Sequence, residues 1–375
     1  MAATEGITTA GRAPSGGVTA ERGQVRLSWG TDLTTTLLAT WLMIGLFVDG
    51  WAHNNLTELE TFFTPWHAQF YSGFVATAGW MLWQADRARR PGDRRLAAVP
   101  RGYGLGLVGA GIFAAGGLGD MLWHETFGIE TDVDALFSPT HLVLFVGLTL
   151  ILSTPLRAAW LDPSEPTAPG YKALLPAVLS TALLAALVAF MFQFWTAFVE
   201  TYSVPAPGAV GPVDYFPMMQ GIAGIFALSL VLTAPLLLLA RRWRPPPGTA
   251  TTLFAVVGVL LGALHEFAEA TQLLALVVSG AAVDVLLVLL RPSPTQRRRF
   301  WAAGLLAPVV TWTIYFALLM ATDGIGWVIE MWTGAILWAG LLGLALALLM
   351  LPPRVPPAVT ADDGAAATAP PGARG

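Results

Sequence analysis

The chain has 375 residues, of which 55% are hydrophobic and only 12% charged, with a formal net charge of −4 and a mean hydropathy of +0.63. So few charges, with a slight acidic excess, exclude a nucleic-acid-binding surface, and so apolar a composition leaves no room for a large soluble domain. No cysteine is present, which also excludes disulfides, thiolate metal sites and thiol nucleophiles.

Residues 1–28, rich in Gly, Ala, Thr and Arg, contain no apolar core and read as a disordered tail rather than a signal peptide. Residues 353–375, rich in Pro, Ala and Gly, read as a second tail. The segment 29–352 between them is a transmembrane helical domain. Crossing ~30 Å of hydrocarbon takes roughly 20 helical residues. Ten such spans can be drawn: 32–53, 66–85, 103–124, 138–158, 172–199, 216–240, 250–267, 271–290, 300–321 and 327–351. The expected fold class is therefore all-α, a polytopic membrane bundle of about ten helices. The stretch 250–290 would measure ~60 Å as one helix, twice the hydrocarbon thickness, so it must turn; the expected break lies near Glu269–Thr271.

All 20 basic residues fall in the tails and in alternate loops, among them Arg87, Arg101, Arg157, Lys172, Arg242 and Arg297, and the other five loops carry none. By the positive-inside rule the chain is a multi-pass cell-membrane protein with both termini cytoplasmic. All five histidines lie at the opposite, outward level, with Asp49, Asp120, Glu200, Glu266, Glu269, Asp323 and Glu330. Trp51, Trp66, Trp123, Trp327 and Trp332 at that level read as an interfacial aromatic belt.

Four of those histidines belong to a duplicated pattern within repeated hairpins at about 32–85 and 103–158. Each copy opens with Asp-x-x-x-His, Asp49/His53 and then Asp120/His124. Each closes with acid-x-acid-x-x-Phe-Ser/Thr-Pro-x-His: Glu58, Glu60, Phe63, Thr64, Pro65 and His67, then Asp132, Asp134, Phe137, Ser138, Pro139 and His141. The i, i+4 spacing puts each Asp and His on one helix face. Thr64-Pro65 and Ser138-Pro139 read as an N-cap followed by proline at the first helical position, which puts His67 and His141 in first turns. There the helix dipole favours the neutral imidazole that a metal needs. One carboxylate and two imidazoles per copy suit iron, and similar sets serve copper or zinc. A lone Asp-x-x-x-His more often caps a helix or pairs at the interface. Caps, however, need not keep the same residue types at both ends of two hairpins, so the duplication favours an ion.

The pattern resembles the intramembrane copper site in the C subunit of copper membrane monooxygenases, the particulate methane and ammonia monooxygenase group. The likeness covers fewer than about 25 residues per copy, with 13 and 16 residues between the two histidines. It implies copper, held by Asp49, His53 and His67 and, independently, by Asp120, His124 and His141.

His265 and Glu269 are also i, i+4. The segment lacks the second histidine of a zinc-protease helix, so it either adds a ligand (His265) and carboxylate bases (Glu266, Glu269) or only punctuates a turn. Glu200, Asp214 and Glu330 are single acids at loop boundaries; Glu330, between Trp327 and Trp332, is the best placed for a catalytic role. Asp284, deep in the eighth span, needs either a buried partner or a proton-handling role. Glycines 104, 106, 109, 111, 116 and 117 read as close helix packing rather than a nucleotide loop.

The residues therefore lead to a membrane-embedded metalloprotein, with copper or iron (or zinc) in one dinuclear centre or two separate sites. Its expected activity is that of an oxidoreductase or monooxygenase acting on a small apolar or lipid-like substrate from the bilayer at the extracytoplasmic face. Partner subunits or a homo-oligomer could complete the site. The alternatives are a proton-coupled transporter or channel, which should stagger its ionisable groups through the membrane, a zinc-dependent lipid hydrolase, and haem ligation by histidine pairs.

Overall fold

The structure, a computed structural model, describes residues 25–56, 62–89, 99–130, 132–198, 203 and 215–352, with only the backbone of Asp132 and Tyr215. The expectations for Glu58, Glu60, Glu200, Asp214 and most of both tails fall outside these residues. The described residues contain helices and no strand. In chain order they are α1 (Trp29–Asn55), α2 (Pro65–Arg87), α3 (Gly104–Phe127), α4 (Asp132–Phe137), α5 (Pro139–Leu152), α6 (Thr154–Trp160), α7 (Tyr171–Met191), α8 (Tyr215–Arg242), α9 (Thr249–Leu264), α10 (Ala270–Leu290), α11 (Arg297–Ala321) and α12 (Ile329–Met350). Eight helices, counting α5 and α6 as one, are long and apolar enough to cross a membrane. α9 is apolar but has only 16 residues. α2 has 23 but carries His67, Gln69, Gln84 and Asp86, which lower its hydropathy.

Two hairpins form where the sequence repeats. α1 packs against α2, and α3 against α5, and small residues set both distances. A Cβ on Gly45 would stand 2.5 Å from the Phe70 Cα, and one on Gly73 would stand 2.6 Å from the Leu42 Cα. A Cβ on Gly147 would meet the Phe113 backbone nitrogen at 2.8 Å. Backbone contact of this kind is how helices associate where lipid removes the hydrophobic driving force. α7 is the most buried of the spans and packs on α1, α5, α6, α8 and α9, so it forms the axis of the bundle.

The fourth span is not one helix. It breaks between Leu152 and Thr154, because Pro155 has no N–H to continue the ladder. The Arg157 guanidinium donates to the Leu150 carbonyl, in the last turn of α5, at 2.9 Å. α7 likewise ends at Met191 rather than near residue 199, and a 3-10 turn, Gln193–Trp195, follows. The turn between α9 and α10 occupies residues 265–269, slightly earlier than expected, and holds Glu266 and Phe267 at φ 55° and 56°.

One end of the bundle is tied by arginines. Arg26 bonds Asp32, and its Nε donates to Asp162 at 3.0 Å. Arg101 lies 3.6 Å from the same Asp162 carboxylate, and Arg242 donates to the Asp162 carbonyl at 2.9 Å. The Tyr103 hydroxyl donates to Asp32 at 2.9 Å. These contacts join the start of α1, the start of α3, the α6–α7 connection and the end of α8.

Asp284 has the buried partner that its depth demands. Its carboxylate accepts from the backbone nitrogens of Ala250 and Thr251, both at 2.9 Å, and from the Thr251 hydroxyl at 2.6 Å. Gly248, the residue preceding α9, has no side chain with which to cap it. A carboxylate from α10 therefore satisfies the orphan N–H groups and meets the positive end of the α9 dipole.

Candidate metal centre

The other end of the bundle gathers the duplicated residues. α1 and α3 end there, and α2 and α5 begin there, so the last turns of two helices face the first turns of two others. Thr64 and Ser138 cap α2 and α5, accepting from the backbone nitrogens of His67 and His141 at 3.1 and 3.3 Å. Each cap fixes its histidine in the first turn, with the ring folded back over the loop that precedes it.

The four rings form a single cluster. Centroid separations are 5.8 Å for His53–His67, 6.3 Å for both His53–His124 and His53–His141, 6.0 Å for His67–His124, and 5.6 Å for His124–His141. Asp49, His53, His67, Asp120 and His124 are buried, and the His141 side chain is 21% exposed.

The hydrogen bonds decide which nitrogen faces which way. His53 Nδ1 meets the Glu130 carbonyl at 2.9 Å and His67 Nδ1 the Phe62 carbonyl at 2.6 Å. His141 Nδ1 meets the Ala135 carbonyl, and His124 Nδ1 lies 3.3 Å from the Gly128 carbonyl. A carbonyl has no proton to give, so every Nδ1 must be the donor. A neutral ring then keeps its lone pair on Nε2. The Nε2 atoms turn toward two carboxylates. His53 and His67 lie 3.9 and 3.4 Å from Asp49 Oδ2, and His124 and His141 lie 3.5 and 3.1 Å from Asp120 Oδ1. Backbone carbonyls behind Nδ1 are the usual outer support of a metal-ligating imidazole. Two groups of ligand atoms are tight enough to hold an ion, each within 4.8 Å: Asp49, His53 and His67, and His67, Asp120 and His124. His67 is common to both. The His124 Nε2 is buried without a hydrogen bond, a costly state for a polar atom that has no ligand to meet.

A cavity of about 70 Å³ opens beside the cluster. On one side stand Asp49, His53, His67, Asp120 and His141. On the other stand apolar groups of α1, α5 and α7, including Leu46, Leu144, Leu148 and Phe190. Gly50, between Asp49 and Trp51, lets Phe190 close on α1: a Cβ there would stand 2.6 Å from the ring. Asn54 donates to Gln193 at 2.8 Å, a polar pair in an otherwise greasy wall.

The remaining sequence candidates lie apart. His265 belongs to neither group of convergent ligands. Its Nε2 is buried without a partner, and burial holds its pKa below the ordinary value. Glu266 is exposed and accepts from the Trp51 indole at 3.0 Å, tying the α9–α10 turn to the end of α1. Burial raises the pKa of Glu269, in the same turn. Glu330 is exposed in the first turn of α12, a helix that packs on α8 and α11.

Three contributors escape the duplicated pattern. The Thr140 hydroxyl donates to Asp120 Oδ1 at 2.9 Å. Tyr71 stands one turn beyond His67 and near Asp120, with its ring against Gly117. Glu130 supplies both the carbonyl for His53 and a carboxylate 3.2 Å from His124 Nδ1. The His67-x-x-x-Tyr71 spacing was a usable signal for Tyr71; Glu130 lies in a loop, where no periodicity points to it.

No family model, curated protein or solved structure matches this chain. The fold and the cluster themselves define its class: a helical membrane bundle with buried Asp/His groups that could hold a metal ion.

Proposed function

We propose that this chain is a membrane metalloenzyme that holds two ions between its repeated hairpins and oxidises or hydroxylates a small apolar or lipid-like molecule arriving from the bilayer. The ligands are Asp49, His53, His67, Asp120, His124 and His141. The observation that carries this reading is the common orientation of four imidazoles, each with Nδ1–H committed to main chain and Nε2 turned toward a buried carboxylate. A set rich in imidazole and carboxylate suits copper or iron, and the likeness to the copper membrane monooxygenases implies copper. A redox-active ion of either kind supplies oxidising chemistry when bound.

The chain's own residues do the rest. The carbonyls of Glu130, Phe62 and Ala135 hold three of the rings in one tautomer, with Gly128 weakly supporting His124. Thr140 orients Asp120. Leu144, Leu148 and Phe190 exclude water from the cavity and give an apolar substrate a surface to displace it from. The Asn54–Gln193 pair is the group available to orient a polar substituent. By the distribution of arginines, the site faces away from the cytoplasm.

With zinc in the same ligands, hydrolysis of a lipid ester or amide would replace oxidation. A proton-coupled transporter would need free ionisable groups at several depths, and the buried acids Asp284 and Asp32 are both engaged in structural bonds.

The test is metal analysis of protein purified from membranes, beside the His124→Ala, His141→Ala double variant. The parent should carry copper or iron at about one ion per ligand aspartate, and the variant less than about half of that. A parent free of metal after growth and dialysis with each ion in turn would end the proposal.

A further inference from the structure

The duplicated residues are alike, but their surroundings are not. His53 and His67 each give Nδ1–H to a neutral carbonyl, at 2.9 and 2.6 Å. His124 is different: its carbonyl partner, Gly128, is distant at 3.3 Å, whereas Glu130 Oε2 stands 3.2 Å from the same nitrogen. That oxygen is buried and has no hydrogen bond, so it meets the ring as an ion-pair contact while the Nδ1–H bonds the Gly128 carbonyl. The other carboxylate oxygen, Oε1, is fixed by the Trp123 indole, so the side chain is held in place behind His124. A carboxylate behind a ligating imidazole makes Nε2 a stronger donor, because it stabilises the positive charge the ring takes on when Nε2 binds a cation. It also adds a negative charge close to the ion, in a site where burial weakens screening.

We infer that Glu130 ranks the two ion positions. The group Asp120, His124 and His67, with His141 beside it at 3.1 Å from Asp120 Oδ1, loads first and tightly. The group Asp49 and His53, which must share His67, loads second and more weakly. Glu130 is thus a positioning residue that acts through His124. The inference rests on the metal reading above and adds to it an order of filling and the residue that sets it.

The experiment is a titration of metal-free full-length protein in detergent with Co(II), followed by calorimetry and by the visible absorption of the bound ion. The parent should show two resolved binding steps. Glu130→Gln keeps an acceptor for Trp123 but loses the charge. It should weaken the first step about 10- to 100-fold, the usual cost of an outer-shell carboxylate, while the second stays within about threefold. Asp49→Ala should remove the second step and spare the first. Trp123→Phe, which frees Glu130 without altering its charge, should weaken the first step by less than Glu130→Gln does.

Two equal steps in the parent, or a Glu130→Gln variant with both steps unchanged or equally weakened, would overturn the ranking and leave the metal site standing. A parent that takes up no Co(II) would overturn both. Thermal unfolding of the metal-free variants identifies misfolding, and Trp123→Phe then remains as the second test of the same contact.

Discussion

Gly45→Val should strip the centre of metal without touching a ligand. Gly45 lies one turn before Asp49, and its missing side chain lets the α2 backbone approach at Gln69 and Phe70, just beyond His67. An added Cβ would stand 2.5 Å from the Phe70 Cα and 3.2 Å from the Gln69 carbonyl oxygen. Neither neighbour is a flexible side-chain end, so the helices must separate. Overpacking a tight contact costs about 1–3 kcal/mol, and a contact between backbones belongs at the upper end. The separation would also carry His67 away from Asp49, now 3.4 Å apart, and both candidate ion groups use His67. Gly45→Val should therefore lower the unfolding temperature and weaken ion uptake at least ~10-fold, about 1.4 kcal/mol. Gly79, on the partner helix α2, has no atom within 4 Å of its would-be Cβ. Gly79→Ala should be neutral or stabilising by up to about 1 kcal/mol, the helix-propensity gain. If the two variants bind metal and melt alike, the crossing does not position the site.

Asp284→Ala should be the most destabilising single change outside the cluster. It would leave the Ala250 and Thr251 nitrogens and the Thr251 hydroxyl without their acceptor. Each orphan left without its acceptor costs about 1–3 kcal/mol. A loss of about 3–9 kcal/mol is expected on that arithmetic, seen as a large drop in the denaturant or thermal midpoint. Asp284→Asn keeps one acceptor oxygen and should fall between the two. A proton-relay role predicts the reverse: normal stability for Asp284→Asn, with activity lost. Stability and activity measured on the same preparations separate the two.

Much of this architecture could be read in the residues, and each success has a physical basis. Hydrocarbon thickness sets span length, so the helices of the bundle stood out as apolar runs. The Thr64-Pro65 and Ser138-Pro139 pairs announced the starts of α2 and α5, because capping chemistry is local. The break at Ser153 was hidden, since Pro155 ends a helix only where something else satisfies the carbonyls left at the end of the preceding turn. Pro176, Pro235 and Pro308 all lie inside unbroken helices. The stabiliser is Arg157, and nothing in its spacing declares which carbonyl it will reach.

The site follows the same division. Asp-x-x-x-His is helical bookkeeping and could be seen. That both copies meet in one cluster depends on how α2 packs on α3, which pattern alone left open. Glu130 and Asp284 act across gaps of 77 and 34 residues, and contacts of that range leave no mark on local sequence.

The Glu130 carbonyl has a bearing on how the molecule is made. The first hairpin emerges from the ribosome with Asp49, His53 and His67 all present, yet the main-chain atom that sets the His53 tautomer arrives some 77 residues later. Until the second hairpin has inserted, that imidazole is free to rotate and to protonate on either nitrogen. In the metal site proposed above, ion capture would thus wait for the neighbouring helices to be in place.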